Sequence, residues 1–200
     1  VILAQWLHPN KKKLLKNTYQ MADNLTPKEF AIRKQKNRQN DLQNLLKTIV
    51  LEARGEGEEG MFAVARSIHN RKTLIESGEV LPSTFMPGST NKKPTYTDII
   101  THKNQYQVYD SEKNVFKRQK SKITQEDMDA GLRALKIALS DKQSKQYIQD
   151  KGLDGRSYHV TGFRAKNAKF DASQQTEKFA IGNHVFNLSG SPYADQYKKD

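Results

Sequence analysis

Glu52 and Glu56 stand four residues apart in Leu51-Glu-Ala-Arg-Gly-Glu56, where an apolar helical run gives way to glycine. From Asp41 the residues Leu42, Leu45, Leu46, Ile49, Val50 and Ala53 recur at the three-and-four spacing that lines one face of an α-helix. At ~100° per residue, Glu52 falls roughly 90° from the middle of that stripe, on its border, and Glu56 one turn further along the same side. Gly55 and Gly57 predict that the helix does not run on undisturbed. A carboxyl group half removed from water, at the negative end of a helix, is disfavoured as an anion, so its pKa is expected to rise. An acid kept protonated near neutral pH is what donates to the leaving oxygen in glycoside cleavage. A solvated helix terminus has the same composition, and spacing alone does not separate the two.

The elements that must position these carboxyls follow from periodicity and breakers. Asn40 or Asp41 is the expected cap of the first helix. A second helix is predicted through Met61, Ala65, Ile68, Lys72 and Ile75, ending near Gly78, with His69 as a packing or hydrogen-bonding histidine. Upstream, Asn10-Lys-Lys-Lys13 leads a helical run to about Met21, and Thr26-Pro-Lys-Glu29 has the form of a capping box opening a separate short helix. From Glu79 to Lys122 prolines at 82, 87 and 94 predict a long connection without long regular elements. Within it Asn104-Gln-Tyr-Gln-Val-Tyr109 alternates amides and aromatics, which suits sugar stacking or, equally, a short edge strand.

Thr124-Gln-Glu-Asp127 caps a predicted amphipathic helix whose core face is Met128, Leu132, Leu135 and Leu139. Ser157–Thr161 and Lys178–Asn187 read as two short strands separated by a polar loop from Gly162 to Thr176. In the second, Phe179, Ile181 and Val185 are expected on one face, with His184 and Phe186 alternating around it. A tail from Ser191 to Asp200 carries no clear pattern.

The 200 residues suffice for one sizeable domain. No apolar run reaches membrane-spanning length. Val1–Leu7 is too short, and lacks the basic flank, for a secretion signal. The absence of cysteine removes disulfides, thiolate nucleophiles and Cys-based zinc sites. A net charge of +12 predicts a polyanionic partner: nucleic acid, anionic lipid or bacterial cell wall. Residues 1–40 hold nine Lys and Arg against Asp23 and Glu29, a net +7 that leaves +5 for the rest. That asymmetry marks a basic helical arm, 1–40, before a domain over 41–190 and a tail over 191–200. Lys11–Lys13 and Arg33–Arg38 are the arm's candidate contacts with an anionic surface or partner protein.

Leu51-Glu-Ala-Arg-Gly-Glu56, the helix Gly60–Arg71, the segment Tyr158-His-Val and the closing Ile181-Gly-Asn-His-Val-Phe186 together resemble the SleB-type cell wall hydrolase family, over about Leu42 to Leu188. The resemblance implies an α+β, mostly α, lysozyme-like domain with a small β element. It also implies cleavage of peptidoglycan glycan strands, by a lytic transglycosylase or a muramidase. Glu52 matches the family's catalytic glutamate and Glu56 its second acid. Tyr158, Asn183 and His184 match positions lining or supporting the cleft, and Gln105-Tyr106 resembles the family's aromatic groove segment, which would bind substrate. No cofactor is implied. The lytic route needs one proton shuttle, so Glu52 is expected to act alone; Glu56, Asp98 and Asp110 are the candidates for a second carboxylate in a hydrolytic route. Two further readings stand beside these: a zinc enzyme using His102, His159 and His184, and a non-catalytic nucleic-acid-binding or structural virion protein. Expected partners are peptidoglycan and, through the arm, other virion proteins. The expected place of action is the bacterial wall, reached from a phage particle or by secretion.

Overall fold

The computed structural model describes residues 26–102, 106, 108–110, 115–116, 123–165 and 178–197. The chain falls into two units, Val1–Asn40 and Asp41–Asp200. In the first, every described residue from 26 to 40 is exposed, including Phe30 and Ile32. Lys11–Lys13 and the helical run towards Met21 lie outside the described residues.

The capping box forms at Thr26: its backbone N–H donates to Glu29 Oε2 at 2.8 Å, and the Glu29 N–H returns to Thr26 Oγ1 at 3.3 Å. The helix it opens, α1 (Pro27–Ala53), does not stop at residue 40. The sequence predicted two helices with a cap at Asn40 or Asp41. Asp41 instead caps a different helix, α4 (Tyr96–Thr101), accepting the Tyr96 N–H at 3.1 Å and the Thr97 N–H at 2.6 Å. A helix whose N-terminal amides point at a carboxylate gains both hydrogen bonds and a favourable charge at its positive end.

The expected glycine break is present. A 3-10 turn, Arg54–Glu56, follows α1, and Gly57, at φ 69°, opens α2 (Gly57–Glu76). From Gly60 to Ile68 every residue of α2 is buried, so it runs through the core with neighbours on all sides. Pro82–Phe85 forms a single turn, α3. The Thr124 box caps α5 (Gln125–Ala138), and α6 (Asp141–Asp150) follows with Ser140 as its cap. The sequence reading missed α4, only six residues long and set among prolines, and α6, short and polar.

Helix α5 meets α1 and α2 through small residues. Gly131, Ala134, Leu135 and Ala138 are buried, while Leu132, expected in the core, is 41% exposed. A Cβ at Gly131 would lie 2.4 Å from Val50 Cγ2, so the close approach admits only glycine as it stands. Arg66, 3% exposed, ties three segments together. It donates to Ala138 O at the end of α5 (3.0 Å), to Tyr158 O (3.1 Å) and to Asp141 Oδ1 at the start of α6 (2.8 Å).

The β element is a two-stranded ribbon, β1 (Tyr109–Asp110) with β2 (Val115–Phe116), and a three-stranded antiparallel sheet, β3 (Gly162–Ala165), β4 (Lys178–Ile181) and β5 (His184–Asn187), in the order β3-β5-β4. Two expectations change. Gly155–Tyr158 is a 3-10 turn, and the strand comes after it, within what read as polar loop. Lys178–Asn187 is a hairpin rather than one strand, turning at Gly182 (φ 56°) and Asn183, with Ile181 paired to His184. The turn resets the alternation, so Phe186, fully buried, faces Phe179 across the strands at 5.6 Å with nearly parallel rings. The tail is also structured in part: Ser191 is buried and Ala194–Tyr197 forms a 3-10 turn. The fold is α+β, mostly α, and among the described residues no helix is long and apolar enough to cross a membrane.

Gly131→Ala is expected to lower stability by about 1–2 kcal/mol, because overpacking against Val50 outweighs the gain in helix propensity. Thermal unfolding checks this, and adding Val50→Ala should recover part of the loss; an unchanged melting temperature would mean that the helices pack less closely.

Candidate active site

Glu52 sits in the last turn of α1, half-buried on the border of the apolar face, as its spacing predicted. Its Oε1 accepts the Val108 N–H at 3.1 Å, which fixes the carboxylate against the chain leading into β1. Tyr106, two residues earlier, is buried. Burial pushes its phenol above the usual range, the Arg71 cation pulls it back, and the neighbouring Glu52 charge raises it again. Tyr106 Oη has no hydrogen-bond partner among the described residues. Its ring packs 5.9 Å from Phe163 on β3, and the Arg71 guanidinium lies 5.8 Å from the ring centre. Gln105 lies outside the described residues.

Phe163 connects this cluster to the second acid. The ring of His184 meets it edge-on at 5.5 Å, and His184 Nδ1 lies 3.4 Å from Glu56 Oε1, close enough for an electrostatic contact but without hydrogen-bond geometry. Burial lowers the pKa of His184, with the Glu56 charge opposing it. The other oxygen of Glu56 accepts the Asn183 N–H at 2.6 Å. With 9% of its side chain exposed, Glu56 is engaged at both oxygens by the β4–β5 turn.

Two glycines make room for it. A Cβ at Gly60 would lie 2.3 Å from Glu56 Cβ, and one at Gly182 would lie 2.0 Å from Glu56 Oε2. Glu56 therefore holds the hairpin against the start of α2, and the sequence's second acid occupies a positioning place. Asn183 contributes its backbone amide to this junction.

Tyr158 is set apart from these residues. Its ring is flanked by the Arg66 guanidinium at 4.3 Å and Lys145 Nζ at 5.0 Å, and meets His159 edge-on at 4.9 Å. It lines a recess with Arg66, Asp141, His159 and Tyr193, and no described contact joins its ring to Glu52 or Glu56. Its backbone does reach towards the cluster. Asn70 donates to Tyr158 O and Val160 O at 2.9 and 2.8 Å, and Arg71 donates to Thr161 O, so α2 clamps the strap that leads into β3.

Asp98 is committed elsewhere: it accepts the Thr95 N–H at 2.8 Å within the cap of α4. The side chain of Asp110 lies outside the described residues. Among the described residues no three His, Asp or Glu side chains converge as a metal would require, so His102, His159 and His184 do not meet. His69 bonds Tyr96 Oη at 2.9 Å. The sequence did not single out Phe163, Arg71 or the Val108 amide. Phe163 fell in a stretch read as polar loop, Arg71 is one of many basic residues on a predicted helix, and a backbone amide leaves no trace in residue types.

Compared with family models, curated proteins and solved structures, the chain matches none.

Glu56→Ala removes a charge-assisted bond to the turn and should cost about 1.5–3 kcal/mol, with faster hydrogen exchange at the Asn183 amide. Gly182→Ala should cost at least as much, and the double variant less than the two together, because the collision with the carboxylate disappears. Strict additivity in thermal unfolding would mean that the two residues do not touch.

Burial, then the Arg66 charge, lowers the pKa of His69 to about 4, and burial also lowers those of His159 and His184. A folded-state pKa below the unfolded value stabilises the fold above the unfolded value, and that stability is lost as the pH falls. Melting temperature should therefore drop between about pH 6.5 and 4, and His69→Gln should flatten the slope. An unaltered slope in that variant would place the acid sensitivity elsewhere.

Proposed function

We propose that this protein cleaves the glycan strand of peptidoglycan between N-acetylmuramic acid and N-acetylglucosamine, as a lytic transglycosylase in a lysozyme-like domain. The observation that carries this is Glu52: a half-buried carboxyl at a helix end, oriented by the Val108 amide and walled by Tyr106. The joint presence of Glu-Ala-Arg-Gly-Glu, Ala-Val-Ala and Gly-Asn-His-Val-Phe in one chain supports it further.

Glu52 gives its proton to the glycosidic oxygen as the bond from C1 of N-acetylmuramic acid breaks and oxocarbenium character develops. The carboxylate so formed takes the proton from the C6 hydroxyl of the same sugar, whose oxygen bonds to C1. The acid is regenerated, the product ends in a 1,6-anhydro ring, and no water is consumed. One carboxyl suffices for both transfers. The commitments of Glu56 to the hairpin and of Asp98 to a helix cap favour this route over a hydrolytic muramidase, which needs a second free carboxylate. Phe163 and His184, both part-exposed, are the neighbouring side chains offered for sugar contact, with buried Tyr106 packed behind Phe163.

The exposed basic stretch from Lys28 to Arg38 is suited to a polyanionic surface or an acidic partner protein. That charge suits action at the anionic bacterial wall, reached in our proposal by delivery from a phage particle in which the arm would contact other virion proteins.

Glu52→Gln keeps the shape and removes the proton donor, so digestion of purified sacculi should fall by a factor on the order of 10² to 10⁴. Mass spectrometry of the wild-type digest should show anhydro ends. Reducing ends would replace the lytic route with hydrolysis, and near-normal activity in the variant would remove Glu52 from the chemistry.

A further inference from the structure

The recess beside Tyr158 lies on a different side of α2 from the Glu52 cluster. At ~100° per residue, Arg71, which reaches Tyr106, points about 140° away from Arg66, which lines the recess. We propose that this recess is a second carbohydrate site, holding one neutral pyranose unit of a glycan whose scissile bond lies elsewhere. The choice of a glycan rests on the proposed function; the shape and charge of the site do not.

The cavity holds about 140 Å³, a size suited to a single sugar ring and too small for a folded partner. Its floor includes buried Leu74. On its wall the rings of His159 and Tyr193 pack 4.3 Å apart, tilted by 39° to one another, an aromatic corner against which the C–H face of a pyranose can rest. Thr73 contributes an exposed hydroxyl for the sugar's polar edge, while Asn70 lines the recess with its amide nitrogen committed to Tyr158 O and Val160 O.

Charge selects the class of ligand. The Arg66 guanidinium is neutralised by Asp141 at 2.8 Å, and the Tyr193 hydroxyl donates to Glu79 at 3.1 Å. A cation approaching the ring of Tyr158 meets the charges of Arg66 and Lys145, 4.3 and 5.0 Å from its centre. An anion meets the carboxylates of Glu79 and Asp141. His69 and His159 both have lowered pKa values, so near pH 7 they present neutral imidazoles and add no charge to the recess. A polar, uncharged ligand with an apolar face fits that inventory.

The strap from Tyr158 to Thr161 joins the recess to β3, whose Phe163 touches Tyr106 and His184. A glycan held at both places would be anchored on one continuous stretch of backbone.

The test titrates chitotetraose into the ¹⁵N-labelled full chain and follows amide shifts together with Kd. Shifts at Thr73, His159 and Tyr193 are expected. Tyr193→Ala should weaken binding by about tenfold or more, as should Thr73→Arg, which fills the mouth from an exposed helical position. Tyr193→Phe should stay within about threefold. Glu52→Gln should keep the shifts at Thr73, His159 and Tyr193. Shifts confined to Val108 and Glu52, the absence of saturable binding, or unchanged affinity in both blocking variants would overturn the proposal. Binding at the recess without digestion of sacculi would uphold this site while removing the enzymatic function; digestion without recess binding would do the reverse.

Discussion

The carboxylate of Glu56 on the Gly182–Asn183 turn is the constraint on which the site's architecture depends. It joins the first residues of the central helix to a hairpin more than a hundred residues later in the chain. A charged acceptor with 9% exposure is costly to bury, and the cost is met by a short amide bond, an adjacent imidazole and two glycines that let the backbone close around it. Once the turn is fixed, β5 places His184 and Phe186, β3 pairs with β5 and places Phe163, and Phe163 backs Tyr106 beside Glu52. The candidate acid thus has its surroundings set by a second acid that does not itself lie open.

The central helix serves two sides at once. Its Arg66 and Asn70 hold backbone carbonyls of the strap and of the end of α5, while Arg71 lies against Tyr106 and Phe85. These bonds satisfy carbonyls that the 3-10 turn and helix end leave unpaired. The helix that is buried from Gly60 to Ile68 is therefore also a supplier of side-chain donors to the strap and to the end of α5.

What the sequence made legible follows from how local each signal is. Capping boxes at Thr26 and Thr124 need only four residues, and both formed as read. The glycine break after Ala53 and the placement of Glu52 on the border of an apolar stripe are likewise local, and both appear in the structure. Asp41 capping α4 could not be read, because its partners lie 55 and 56 residues away. The Lys178–Asn187 hairpin was hidden by a two-residue turn inside an apolar run, and Leu132 was misplaced because close contact of α5 with its neighbours runs through Gly131 and Ala134. Motif spacing gathered Glu52, Tyr106, Glu56 and His184, yet it could not separate the ring of Tyr158 from them, since a strap's backbone and its side chains can serve different places.

A guanidinium is a flat plate with donors fixed in its plane, and at Arg66 that plate meets acceptors from three separate stretches of chain. A rounded ammonium on a lysine stem could satisfy one or two of them but not impose the angles among all three. The relative tilt of the α5 terminus, the α6 origin and the strap is thus drawn by one side chain's stereochemistry, like a drafting square set into the interior.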